Sequence, residues 1–313
     1  SRNVNRLETK WLQHVYNMWQ VGQNIHVFQT YRFLFQNHKF MEKKGKVYLF
    51  ERDNGQPLWN YTSGGQVQDV AITPGGDYIV AGGIGSDVIL FNKNSSTPLW
   101  TYSAGGSSDH IYTVDISANG EYIVAGSKNG NLYLFSKNSS TPIWNYQTSG
   151  QYGVWSVEIS SNGGHIVAGS RGPSGGVYLF DKNSSTPVWS SAIGSVYSAG
   201  ISADGEYVAA ASADEFVCCS GEFYLFEKNS STPLWNYSIG DRVNKISFSE
   251  NGSYISIAGN DDNVYLFNKN TSTPLWSYDT QANGFVTSVA ISDDGQFIAA
   301  GASNNIVYLF SKD

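Results

Sequence analysis

Two adjacent cysteines, Cys218 and Cys219, are the only thiols in 313 residues. A vicinal pair can close into a labile disulfide and carry redox chemistry, provided one sulfur is reachable as thiolate. The pair lies in the stretch Ala213 to Gly221, and the plainer expectation is two small loop residues, one buried and one exposed. Tyr112, Trp155 and Tyr197 form a second group, at equivalent places where other copies of the same pattern carry Gln68, Asn244 and Thr287. Converging aromatics of this kind can stack on a sugar or hold a peptide. They also share parity with Val114 and Ile116, which favours a role as lids on the core.

Asn260-Asp261-Asp262-Asn263 offers oxygen ligands for Ca²⁺ but lacks the Asp-x-Asp-x-Asp-Gly spacing of a dedicated loop, so a solvated turn is expected. Asn-x-Ser/Thr acceptor sites for N-linked glycans stand at Asn94, Asn138, Asn183, Asn229 and Asn270, and again at Asn60, Asn236 and Asn251. The first five sit in one repeated turn, and a copied turn copies its acceptor, so they count as a single observation. His14, His26 and His38 match no ligand spacing. There is no P-loop, Ser-His-Asp pattern, nucleophile elbow, Cys/His zinc pattern or His-Glu-x-x-His, so no catalytic residue, cofactor or metal site is expected.

These residues ride on a module copied along the chain. Leu-Phe ends a short apolar run at Phe50, Phe91, Phe135, Phe180, Phe226, Phe267 and Phe310, at intervals of 41, 44, 45, 46, 41 and 43 residues. Six of these endings are followed by a Pro-Leu-Trp-like segment, at Trp59, Trp100, Trp144, Trp189, Trp235 and Trp276. The period fits one four-stranded propeller blade and is too long for the common two-helix repeats. Within a copy, apolar runs rich in β-branched and aromatic residues are separated by turn chemistry, as in Ser-Ala-Asn-Gly at 117–120 and Lys-Asn-Ser-Ser-Thr-Pro at 93–98. Pro at the head of the last run cannot donate to a central ladder, so that run is the blade's outer edge. The recurring Phe and Trp are expected to fill the gaps between blades.

The sequence therefore predicts an all-β, seven-bladed propeller of four-stranded antiparallel blades, forming one domain over 1–313. Residues 45–313 hold the clear repeats. Residues 1–44 are a degenerate first copy plus a closing strand: 24–31 and 33–41 supply the first two strands of the first blade, and Thr9–Val15, with Trp11 in the Pro-Leu-Trp role, closes the ring against the C-terminal segment. The competing reading of the N-terminus is an amphipathic helix through Leu7, Trp11, Val15 and Met18. Charged residues are 14% of the chain and the net charge is −7, with no Lys/Arg cluster, so no nucleic-acid partner is expected. No apolar run is long enough to span a bilayer, and Ser1 opens no leader-like segment.

The stretch Gly45 to Phe50 followed by Gly55-Gln56-Pro57-Leu58-Trp59 resembles the pyrroloquinoline-quinone-type propeller repeat. The other half of the module, as in Val286–Ser292 and Gly295–Gly301, looks like the first two strands of a WD-repeat blade, without that family's Gly-His and Trp-Asp dipeptides. The resemblance implies a propeller of the quinoprotein-like or WD-like kind, frequent in secreted and surface proteins. It also implies an oxidoreductase alternative, because some quinoprotein alcohol dehydrogenases hold a vicinal disulfide such as Cys218-Cys219 against their cofactor. Those enzymes are larger, usually eight-bladed, and need a calcium site with an acidic base. The leading expectation is a non-catalytic binding or scaffold module, extracellular or at the cell surface, with a protein or glycan partner. A lectin reading on Trp155 is the other alternative.

Overall fold

The computed structural model describes residues 5–8, 20–21, 25–30, 45–51, 56–85, 87–105, 109–214, 220–281 and 285–313. Seven four-stranded antiparallel sheets form the blades of a seven-bladed β-propeller, and no helix occurs among the described residues. Blade III shows the pattern: Ile111–Ile116, Tyr122–Ser127, Asn131–Ser136 and Trp144–Gln147, paired in chain order. The first strand lies innermost and the strand carrying the Trp is the outer edge, as the Pro placement requires. Blades II, IV, V and VI repeat this order, with first strands Gln66–Ile72, Val154–Ile159, Ser195–Ile201 and Val243–Phe248.

Aromatic packing joins each blade to the next. The ring of Trp144 lies 5.5 Å from that of Phe180 in blade IV, and its Nε1 donates to the Lys182 carbonyl at 2.8 Å. The same latch recurs from Trp59 to Lys93, Trp100 to Lys137, Trp189 to Lys228, Trp235 to Lys269 and Trp276 to Lys312. A buried indole needs a partner for its N–H, and the Lys carbonyl at the start of the neighbouring turn supplies one. The Leu-Phe residues are the core of each junction: Phe91, Phe135, Phe180, Phe226 and Phe267 are wholly buried.

The first and second strands are joined by turns whose chemistry is local. Ser117 Oγ accepts from Tyr122 N at 3.1 Å and donates to Asn119 Oδ1 at 2.8 Å, and Gly120 takes a φ of 72°. That glycine is required twice, because a Cβ on it would also sit 2.6 Å from the Tyr78 ring of the preceding blade.

The N-terminal strands differ from expectation. In blade I the first two strands are Gln20–Val21 and Ile25–Thr30, followed by Lys46–Glu51 and Pro57–Thr62. Segment 24–31 thus supplies the second strand instead of the first, and 33–41 lies outside the described residues. Blade VII, built from Val286–Ile291, Phe297–Ala302 and Ile306–Ser311, takes its fourth strand from Asn5–Glu8, antiparallel to Ile306–Ser311. The described strand is N-terminal, at Asn5–Glu8, and Thr9–Val15, expected in that role, lies outside the described residues. Asn5 stands opposite Leu309, the register place that Trp144 holds opposite Leu134. Leu7 is in this strand and so does not begin a helix. Trp11, Val15 and Met18 lie outside the described residues.

Candidate functional site

Each blade's first strand is a sheet edge facing the central channel, and an edge leaves N–H groups without ladder partners. Side chains from the preceding blade satisfy them. Asp69 Oδ2 accepts from Val114 N at 2.9 Å, Asp115 Oδ2 from Ile159 N at 2.9 Å, and Glu158 Oε2 from Ile201 N at 3.1 Å. Hydroxyls serve in the same way: Thr113 for Val157, Ser156 for Ala199 and Ser198 for Ile246. Gly200 leaves the space that the Glu158 carboxylate occupies, since a Cβ there would lie 3.1 Å from Oε2.

This girdle holds three acids and Lys245. Burial pushes the Asp69 carboxyl up, while its N–H donors and Lys245 oppose the rise. Burial and then the facing Glu158 push the Asp115 carboxyl up to about 8, and burial raises Glu158 as well. Both groups sit deep in the molecule yet remain partly accessible, and Lys245 favours their charged forms.

At one end of the channel the first strand of every blade from II to VII contains a β-bulge. The register shifts at Gln68, Tyr112, Trp155, Tyr197, Asn244 and Thr287. A bulge leaves one residue unpaired and re-aims its side chain. It thereby breaks the parity that would put Tyr112, Trp155 and Tyr197 in the core with Val114 and Ile116. Trp155 is 39% exposed, and Tyr112 and Tyr197 are partly exposed.

The three aromatics belong to one column. The Tyr112 and Trp155 rings lie 4.9 Å apart, and the Arg171 guanidinium carbon stands 4.1 Å from the Trp155 ring and 4.3 Å from the Tyr197 ring. Arg242 covers Tyr197 at 5.0 Å. Hydrogen bonds fix the ends: Trp155 Nε1 donates to the Tyr152 carbonyl at 2.7 Å, Arg242 Nε to Asn244 Oδ1 at 3.2 Å, and Asn244 Nδ2 to the Val286 carbonyl at 2.8 Å. The result is a continuous Tyr-Trp-Arg-Tyr-Arg column at the channel mouth, with two cations held against π faces.

The sequence singled out the aromatics but missed both arginines and the channel acids. Arg171 follows the second strand of blade IV and Arg242 precedes the first strand of blade VI, so no single alignment of copies sets them side by side. The other candidates fall elsewhere. Cys218 and Cys219 lie outside the described residues. The 260–263 segment is a hairpin turn whose Asp261 carboxylate accepts from Asn263 N at 3.2 Å and from the Tyr265 hydroxyl. Asn94, Asn138, Asn183, Asn229 and Asn270 are all exposed, on the rim away from the channel.

A family model described as outer membrane protein assembly factor BamB, of the pyrroloquinoline-quinone repeat type, matches residues 16–171 and 173–313. No curated protein matches this chain. The repeat type implies a quinone and a calcium ion, and the described donors do not fit them. Asp69, Asp115 and Glu158 are each committed to N–H groups of the next blade, and no three His, Cys, Asp or Glu side chains among the described residues converge on one cation position.

Proposed function

The chain belongs to the family of the outer membrane protein assembly factor BamB, and we propose that it is a non-catalytic binding module, exported to the cell surface or beyond, that grips an exposed segment of a protein partner at the channel mouth. The Tyr112–Trp155–Arg171–Tyr197–Arg242 column carries this reading. Trp, Tyr and Arg are the residues that concentrate binding energy at protein interfaces, and here stacking holds them in one geometry before any partner arrives. Less ordering is then left to be done on binding. Two guanidiniums in the column favour a segment that brings carboxylates along with an apolar or aromatic anchor. The family description names an assembly factor, which agrees with a scaffold role.

Selection of a displayed random-peptide library on the protein tests the proposal. Enriched peptides should be acidic and should lose roughly thirtyfold in affinity, about 2 kcal/mol, on Trp155→Ala or Arg171→Ala. Peptides that bind both variants as tightly as the wild type would overturn it. A glycan array run in parallel tests the lectin alternative: glycan binding lost on Trp155→Ala, with no peptide enriched, moves the site to a sugar ligand. The oxidoreductase alternative requires an absorbance change or a thermal shift on adding pyrroloquinoline quinone with calcium.

A further inference from the structure

The residue before each outer-strand Trp is aliphatic and exposed: Leu58 45%, Leu99 52%, Ile143 49%, Val188 52%, Leu234 47% and Leu275 46%. Leu58 lies in its outer strand and the other five stand one residue before theirs, so the six follow the sheet edges around the circumference. Exposed edges with aliphatic side chains are sites of edge-to-edge association unless something blocks them. In blades II to VI, each aliphatic follows the exposed acceptor asparagine of its turn by five residues, as Leu99 follows Asn94. A copied module carries that spacing, and blade I uses a second copied position, for Asn60 follows its Trp as Asn145 and Asn236 follow theirs. In sequence, the stretch that corresponds to the acceptor-bearing segment of the other blades reads Asp53-Asn54-Gly55-Gln56 and contains no acceptor, while Asn60-Tyr61-Thr62 provides one two residues beyond Leu58. Asn60 is exposed and stands two residues along the outer strand from Leu58, where the ladder shifts register. Each of the six aliphatics thus has an exposed acceptor asparagine within five residues of it along the chain. The serines that complete the turn acceptors, Ser96, Ser140, Ser185, Ser231 and Ser272, make no hydrogen bond among the described residues, which leaves their hydroxyls open to recognition.

We propose that the rim is N-glycosylated at Asn60, Asn94, Asn138, Asn183, Asn229 and Asn270, and that the glycans cover the aliphatic ring and block the outer edges. The donor is an oligosaccharide linked through its anomeric carbon to a lipid phosphate. The asparagine Nδ2 forms the new bond to that carbon and loses one proton. The bond from carbon to phosphate oxygen breaks, its electron pair leaves on the phosphate, and nothing is oxidised or reduced. The proposal shares with the proposed function only the export of the chain, and it does not involve the mouth.

Peptide mass spectrometry of the protein isolated from its own cells should find glycan mass on the rim asparagines, and fractionation of the same cells should place the chain outside. An exported chain with bare rim asparagines overturns the rim proposal alone, leaving the mouth to its own test. A chain that is bare and never exported overturns the location as well. Recombinant protein made without glycosylation should keep its thermal midpoint and sediment as larger species than the native protein. Replacing the six aliphatics with Thr should return it to the sedimentation of the native protein's polypeptide. An unglycosylated wild-type chain that stays dispersed overturns the shielding role.

Discussion

At the scale of single residues, the channel couples the stability of the fold to pH. Asp115 is held up to about 8 by burial and by Glu158, against an ordinary value of 3.8. The charged groups acting on it are Glu158 and Lys245. A carboxyl raised in the folded state binds its proton more tightly there than in the unfolded chain. Its contribution is therefore fully present below about 3.8 and is lost as pH rises through about 8. Asp115→Asn keeps an oxygen for the Ile159 N–H and cannot ionise. Urea midpoints of wild type and variant should agree near about pH 3, below the unfolded value, while at about pH 9 the variant should be the more stable. Parallel curves would show that Asp115 ionises in the folded protein as freely as in the unfolded one.

At the scale of elements, turns and strands were legible in the sequence because their chemistry is local. Ser-Ala-Asn-Gly forms its own hydrogen bonds and needs nothing from afar except space for its glycine. Gly120→Ala should cost about 1–3 kcal/mol, from a φ of 72° alone, and more as the Tyr78 ring is forced aside. Gly64→Ala, with open space around it and no left-handed backbone, should stay within about 0.5 kcal/mol in the same urea titration. Similar losses at the two sites would mean that the turn does not impose the left-handed conformation. The bulges were not legible, and the reason is physical. Gln, Tyr, Trp, Tyr, Asn and Thr all occupy the bulged position, so no residue type marks it. It arises where first strands crowd round the axis, and strict alternation therefore mispredicted the direction of Tyr112, Trp155 and Tyr197. The departure from the repeat still pointed to the right strands, whereas the arginines between them required the third dimension.

At the scale of the whole molecule, the Trp latches run in one direction, from blade I to II and onward to blade VII through Trp276 and Lys312. Blade VII has no outer strand of its own kind. Asn5–Glu8 completes it, with Asn5 where a Trp would stand. The strand was foreseeable from the missing outer run, but its register was not, because the first 44 residues carry no copy of Pro-Leu-Trp to mark it. This pairing joins residues nearly the full chain apart, so a crosslink across it would constrain the unfolded chain more than one within a blade. Leu7 and Val307 face each other in the ladder, and paired strand positions lie within disulfide reach. With Cys218 and Cys219 changed to Ser, Leu7→Cys with Val307→Cys should crosslink on oxidation. The oxidised form should gain about 2–4 kcal/mol or more, and reduction should remove the gain. Failure to crosslink would mean that the two strands do not pair. A crosslink without gain would mean that the pairing persists in the unfolded chain or that the bridge strains the ladder, and comparing the oxidised and reduced forms by hydrogen exchange at Ile306–Ser311 separates the two.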